Sequence, residues 1–499
     1  MSINTFTMIT RIKLNGFKSL LNTELYFGPF TCIAGANAIG KSNFFDAIVF
    51  LSNLADNTIL HAAKSIRSEN QRHSNIKDIF FRSGNCYLET IRFEIDMIVP
   101  RYAEDDLGQM AEASITSLRY TLELKLNDDA TEKEPIEIVN EELRPITLTE
   151  TRKKIFFEKS KDWVDSVVLG RRASTPFIST DGEKIKLHSD SKDKRGGRTT
   201  EFIAKKMPRT LLSTVTAESP TAFLARHEMR SWMMLQFEPS ALRQPNSIFE
   251  VKNATITALG HNLPATLYRL HNEHNDKDIY QLLTNRLKDL VDNVDEIMVD
   301  NDEKRDLLTL HIRLKDGLIL PAQSLSDGTL RFLGLASIEV DTDKNSVICL
   351  EEPENGISPK KIEEMINLLE DMATDTSGIV DKDNPFRQVI INSHSPLVVR
   401  NVSDDSLYLA TEKETYLEAF KMKVKFTAFS ALEDTWKTRN KLSDATSKGE
   451  MISYLENDSF EIENSHSNEP EYMYGKVEIK KRKRTVAENV RQFNLFSKE

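Results

Sequence analysis

Residues 35 to 42 read Gly35-Ala36-Asn37-Ala38-Ile39-Gly40-Lys41-Ser42, a G-x-x-x-x-G-K-S spacing whose residue types suit one task, the holding of a polyphosphate. Gly35 and Gly40 keep side chains out of an anion's path, and the backbone N–H groups through Asn43 can then point at it. Lys41 is placed for the β and γ phosphates, and Ser42 for a Mg²⁺ ion. Further along, Val347-Ile348-Cys349-Leu350-Glu351-Glu352 sets two carboxylates directly after four apolar residues. This is the pattern of a buried strand delivering acids at its C-terminal end, where open α/β sheets hold their ligands. Glu351 is assigned to the Mg²⁺ side, and Glu352 to orienting or deprotonating an attacking water. The common pattern has Asp at the first position; the extra methylene of Glu351 suits a water-bridged metal contact.

Two further stretches add to these. Leu325-Ser326-Asp327-Gly328-Thr329 reads as a helix start, where the Ser326 hydroxyl and the N–H groups through Gly328 form an anion cap. A phosphate loop leaves one side of a γ-phosphate uncovered, and such a cap could close it from another subunit. His394, in Asn392-Ser393-His394-Ser395, follows the apolar run 389–391 and so emerges at a sheet edge. A lone histidine there serves either structure or substrate.

These residues need elements to carry them. Residues 30–34 are a short buried strand ahead of the loop, and Phe44, Phe45, Ala47, Ile48, Leu51 and Leu54 recur at helical spacing after it. Residues 8–14, 91–97 and 118–126 alternate apolar with polar as half-buried strands, and 23–27 reads as a returning strand. An acidic surface turn holds Glu104, Asp105 and Asp106. Residues 136–139 suggest one more strand. Between 152 and 209, 16 Lys and Arg face 8 Asp and Glu, a local charge of +8, with Gly196-Gly197 as a flexible loop. Such a run is either a solvated face or a docking patch for nucleic acid or a partner. Residues 259–270 and 280–290 carry helical apolar spacing, with no sustained heptad for a coiled-coil arm. Strand alternation returns at 307–314. After His394 come strand patterns at 407–410 and 416–424, a polar linker near 458–474, and a tail with Lys480-Lys481-Arg482-Lys483-Arg484 and a short amphipathic end.

The bulk numbers exclude several classes. A net charge of -11 rules out a uniformly nucleic-acid-coating surface, so any such contact must be local, through 152–209 or 476–484. With 39% hydrophobic and 29% charged residues the chain can bury a real core. No run approaches 18 apolar residues, so no membrane span is expected. Three cysteines, two of them (Cys32 and Cys349) inside predicted core strands, point to a reducing cytoplasm. The N-terminus lacks the charged start, apolar run and small-residue site of a secretory signal.

Taken in order, Gly35 to Asn43, Leu325 to Arg331, Leu350-Glu-Glu-Pro-Glu354 and Asn392-Ser-His394-Ser resemble the ABC-type ATPases of the SMC, RecF and OLD clade, and Ile12-Lys-Leu-Asn-Gly-Phe-Lys18-Ser19 looks like their first strand and turn. The resemblance covers about 8–126 and 305–410. It implies an α/β ABC-type ATPase head of two lobes, with a mixed sheet and helices. The expected divisions are 1–126 with the phosphate loop, a large, mostly helical, basic insertion over 127–305, a second lobe over 306–410, and an extension over 411–499. It implies ATP and Mg²⁺ as cofactors, Glu352 as hydrolytic base and His394 as γ-phosphate sensor. It also implies a homodimer or higher oligomer in which Ser326, Asp327 and Gly328 of one subunit face the other's nucleotide. Ala38 departs from a common third glycine. The glutamine that joins the lobes has Gln71 as its candidate. OLD-type nucleases continue into a second, metal-binding catalytic domain, for which the residues after His394 are too few. The layout is similar to the stand-alone ATPase of Septu-type antiphage systems, which works beside a separate nuclease. The expected function is therefore an ATPase gating an effector; the alternatives are a RecF-like ATPase acting on DNA directly, and ATP held as a structural clamp.

Overall fold

The computed structural model describes residues 8–66, 75–127, 135–170, 175–188, 190, 199–273, 278–341, 347–381 and 383–463. Its centre is a seven-stranded sheet built from β1 (Phe30–Ala34), β2 (Met233–Leu235), β3 (Val347–Glu351), β4 (Gln388–Ser393), β5 (Leu407–Leu417), β6 (Met422–Leu432) and β7 (Asp444–Thr446), in the spatial order β2-β3-β4-β1-β5-β6-β7. The strands from β2 through β5 run parallel, and β6 returns antiparallel. β1, apolar but for Thr31, is buried at every position, as befits a strand covered on both faces. Successive side chains go to opposite faces. Ile33, Cys349, Ile390 and Tyr408 share a core with Phe44, Phe45, Ile48 and Leu51 of helix α1 (Lys41–Leu54). Cys32, Leu350, Ile391 and Leu409 share the other with Leu330 and Leu333 of helix α2 (Asp327–Val340).

A second, eight-stranded sheet runs in the order Thr199–Ile203, Lys184–His188, Ile178–Asp181, Ile136–Pro145, Ser117–Leu126, Thr90–Ile98, Met8–Asn15, Thr23–Tyr26, with neighbours antiparallel. Segment 127–305, expected to be mostly helical, therefore supplies four strands to this sheet, and a further long strand, Val294–Asp302, pairs with Leu307–Leu314. The charge run hid the alternation. Lys184 and Lys186 lie on the outer side of a strand whose Ile185 is buried, and Gly182, at φ +58°, makes the turn before it. The strand expected at 416–424 is instead the end of one strand and the start of the next, since 418–421 turn the chain with Lys421 at φ +53°. Residues 458–463, expected as linker, close the helix Lys448–Glu463. Among the described residues, no helix is long and apolar enough to cross a membrane.

Buried polar side chains join the sheets. The Gln388 amide donates to the Ile9 and Gly28 carbonyls and accepts from Ile9 N–H, while the Tyr408 hydroxyl donates to the Tyr26 carbonyl. Glu141, fully buried, accepts from the N–H groups of Leu211 and Leu212 and from the Tyr120 hydroxyl. Burial pushes its carboxyl up to about 7, against the pull of those donors. The native state thus holds this proton more tightly than the unfolded chain, and Glu141's contribution to stability declines as pH rises from the ordinary carboxyl range through about 7. Glu141→Gln is expected to flatten that decline in urea titrations run between pH 5 and 8; an unchanged slope would show that another group sets it.

Candidate nucleotide site

The parallel register brings the predicted chemistry together. Ala34, the last residue of β1, pairs with Ser393, and Asn392 pairs with Glu351, so the phosphate loop, the Ser393-His394 turn and the two acids leave three adjacent strands at one edge. Strand spacing alone puts β3 about 10 Å from β1, within the span of one nucleotide. Gly35 N–H donates to the Ser393 carbonyl, which fastens the loop to β4 at its first residue. The buried Lys41 turns back into the loop and donates to the carbonyls of Gly35 and Ala36, 2.6 Å each. Gly40 caps α1 at φ +95°, and Ala38 also takes a left-handed φ of +63°. A Cβ at Gly40 would overlap the hydroxyls of Ser19 and Thr427. Asn37 and Ala38 are exposed at the loop's crest, Ile39 and Ser42 are half-buried, and the Asn43 amide donates to Ser19 Oγ at 2.8 Å.

The acid side is more tightly organised than its sequence suggests. Glu352 has φ +47°, a conformation a glutamate rarely takes, and its N–H donates to both the carbonyl and the Oδ1 of Asn392, 3.1 Å each. Its Oε1 lies 2.9 Å from His394 Nδ1, and its Oε2 accepts from Asn355 Nδ2 at 2.8 Å. The residues expected as base and sensor are thus bonded to each other. Glu351 accepts from Asn392 Nδ2 at 3.3 Å. Glu354, quoted in the motif without a role, is buried; one carboxylate oxygen accepts from Ser393 Oγ and the other meets no partner among the described residues. Burial raises its carboxyl above the usual range, against the pull of the Ser393 hydroxyl.

Ser326 caps α2 by accepting from Thr329 N–H, and Ser326 and Asp327 are exposed. Their nearest link to the site runs through one turn. Gly328 lies against Gly356, whose carbonyl oxygen a Cβ at 328 would overlap, and Arg331 donates to the Asn355 carbonyl at 2.9 Å. Asn355 is the residue that holds Glu352. Asp327 pairs with Arg243 at 2.6 Å.

Gln71 lies outside the described residues, as do Arg171, Arg172, residues 192–198 and the tail 476–484. A glutamine missed in the sequence, Gln236, directly follows β2, whose Leu235 pairs with Leu350, so it stands exposed at the edge that bears the acids. With Asp46 and Asn53 of α1 it lines a cavity of about 780 Å³. The short apolar run Met233-Met234-Leu235 ending in Gln was its only signal, and three residues are too few to read as a strand. In the basic segment, Arg152, Lys154, Lys184, Lys186 and Lys205 pair with Asp165, Glu150, Glu201, Asp181 and Glu183. Those charges are answered locally.

A family model described as "AAA domain, putative AbiEii toxin, Type IV TA system" matches residues 30–101 and 268–400. The two matched segments hold the loop, both acids, Ser326 to Gly328 and His394. No curated protein matches the chain. Similar solved structures include an Smc head domain with coiled coil and joint from Pyrococcus yayanosii (9% identity, 91% of this chain and 100% of that one, TM-score 0.43). Others are an SMC head domain from Thermotoga maritima (13%, 85% and 99%, 0.35) and an Smc head with an extended coiled coil, bound to the C-terminal domain of ScpA, from Pyrococcus furiosus (12%, 87% and 98%, 0.40).

The contact between Gly328 and Gly356 is testable. Gly328→Ala must push the 355–356 turn away from α2, at a cost of about 1–3 kcal/mol. Thermal unfolding is expected several degrees below wild type; an unchanged Tm would show that the two backbones do not touch.

Proposed function

We propose that this chain binds ATP with Mg²⁺ at the Gly35–Asn43 loop, hydrolyses it, and passes its nucleotide state to a separate effector. The observation that carries this reading is the convergence of the loop, Glu351, Glu352 and His394 on three neighbouring parallel strand ends. The donor set fits the ligand. A loop that admits no Cβ at Gly40, a buried ammonium at Lys41 and N–H groups at the start of α1 suit a polyphosphate. The Ser42 hydroxyl and the Glu351 carboxylate are the hard oxygen donors that Mg²⁺ takes, and the ion would draw charge from the phosphate oxygens. Glu352, held at both oxygens by Asn355 and His394, is fixed in place to accept a proton from water. With Nδ1 bonded to Glu352, His394 has Nε2 to turn toward the phosphate, to which it donates when the ring carries its second proton.

The effector half of the proposal rests on the resemblance of the motif set; residues 407–446, as β5, β6 and β7, belong to the sheet that carries the site. The resemblance to Septu-type ATPases names a nuclease in antiphage defence as that partner, and the exposed Ser326 and Asp327 suit a face closing on a second subunit's nucleotide. Direct DNA binding of the RecF kind gains less support, because the described cations of 152–209 are so often paired with acids.

Lys41→Ala is expected to weaken ATP binding roughly 10- to 100-fold, the loss of charge-assisted bonds to phosphate. Unchanged affinity would remove the assignment. Glu352→Gln is expected to retain ATP while phosphate release falls by about 10²–10⁴. Equal release from wild type and variant would leave ATP as a structural clamp. Co-purification of the native complex, scored for nuclease and for nucleic acid, separates the effector reading from direct DNA binding.

A further inference from the structure

Ser19, Asn43 and Thr427 meet beneath the phosphate loop, although Ser19 belongs to the turn after the chain's first strand and Thr427 to β6, 408 residues later. Thr427 Oγ1 lies 2.6 Å from the Ile39 carbonyl and 2.6 Å from Ser19 Oγ, and Asn43 Nδ2 lies 2.8 Å from Ser19 Oγ. Each hydroxyl owns one proton, which fixes the order. Thr427 spends its proton on the Ile39 carbonyl, so Ser19 must donate to Thr427, and Asn43 donates to Ser19. The result is a one-way relay that ends on the loop. Thr427 N–H also donates to the Ser19 carbonyl at 2.9 Å, so the two chain segments are locked to each other as well as to the loop. Ser19 and Thr427 lie outside both segments that match the ATPase family model.

The bond to Ile39 has a consequence one atom further on. The Ile39 carbonyl and the Gly40 N–H belong to one trans peptide plane and point in opposite directions. A hydroxyl that holds the carbonyl therefore aims the Gly40 N–H away from the relay. Gly40 cannot fix that plane by itself, because glycine accepts φ of either sign, and here it takes +95° beside an Ala38 already at +63°. The plane could turn over at little local cost, and with it a phosphate donor would be lost.

We infer that Thr427 is a positioning residue of the nucleotide site, holding the Ile39–Gly40 peptide so that the Gly40 N–H faces the phosphates, with Ser19 and Asn43 orienting the Thr427 hydroxyl. This rests on the reading of Gly35–Ser42 as a phosphate site. It makes the C-terminal β5–β6 hairpin part of that site, although it touches no substrate.

The test uses the full chain and Mg-ATP. Thr427→Val keeps the shape and removes the donor. It is expected to weaken ATP binding about tenfold and to raise KM more than it lowers kcat, because a phosphate donor of this kind serves the bound and reacting states alike. Thr427→Ser, which keeps the hydroxyl, is expected to restore affinity to within about twofold of wild type. Ser19→Ala is expected to move affinity in the same direction as Thr427→Val. Thermal unfolding without nucleotide is measured beside each titration. Wild-type affinity in Thr427→Val overturns the proposal, and so does a Thr427→Ser variant as weak as the valine. A loss of affinity matched by a collapse of the nucleotide-free Tm, with no recovery in the serine variant, also overturns it, since the role is then structural. If the wild-type chain fails to bind ATP, it is the nucleotide reading that falls.

Discussion

The site depends on the parallel pairing of β1, β4 and β3 in one register. A parallel ladder aligns the C-terminal ends of its strands, so the groups that follow each strand share an edge whatever their distance in sequence. Here the pairs Ala34–Ser393 and Glu351–Asn392 set the phosphate loop, the histidine turn and the acids side by side. A slip of one residue in β4 would reverse which face its side chains take, sending Ile391 out of the core it shares with Cys32 and Leu350. The hydrophobic cores therefore hold the register, and through it the site. The Gln388 amide, buried between Ile9 and Gly28, pins the start of β4 in the same way.

Much of this was legible in the sequence because each motif is local. The loop and its flanks sit within 30–54, and strands of unbroken apolar residues such as 347–350 and 389–391 are read from composition alone. What was illegible depended on pairing. The strands Ile178–Asp181 and Lys184–His188 carry so many charges that the run reads as surface, and only their neighbours reveal Ile178 and Ile185 as core. Gln236 follows a three-residue strand that exists because β3 offers it an edge. Ser19 and Thr427 are ordinary polar residues in their own surroundings, and no spacing rule connects them. The turn at 418–421 hid within an alternating stretch because its residues carry no strong turn signal beyond Lys421's left-handed φ.

The acid pair shows how strain and bonding combine. A left-handed Glu352 costs free energy, of order 1–3 kcal/mol for such a conformation, and it persists because the surroundings determine it several times over. Its N–H is held by Asn392, one oxygen by His394, and the other by Asn355. Asn355 in turn is held through its carbonyl by Arg331 of α2, and the next residue, Gly356, lies against Gly328. A displacement of the α2 N-terminus therefore reaches the Glu352 carboxylate through a single turn. In the proposed assembly, where Ser326 and Asp327 would meet another subunit's phosphates, that same contact would carry closure to the acid in its own subunit.

The loop side is held in a different manner. Where Glu352 is fixed by bonds to its own side chain, the Ile39–Gly40 peptide is fixed from behind, by a hydroxyl on a strand that approaches no phosphate. The difference follows from what each group would do under the proposed function. An acid that takes a proton needs its oxygens placed, whereas a backbone donor can be placed only through the carbonyl that shares its plane. A sheet that runs on past β1 into β5 and β6 supplies a wall from which that carbonyl can be reached. The added strands thus do more than enlarge the core: they reach the phosphate loop on the side its own residues leave unguarded.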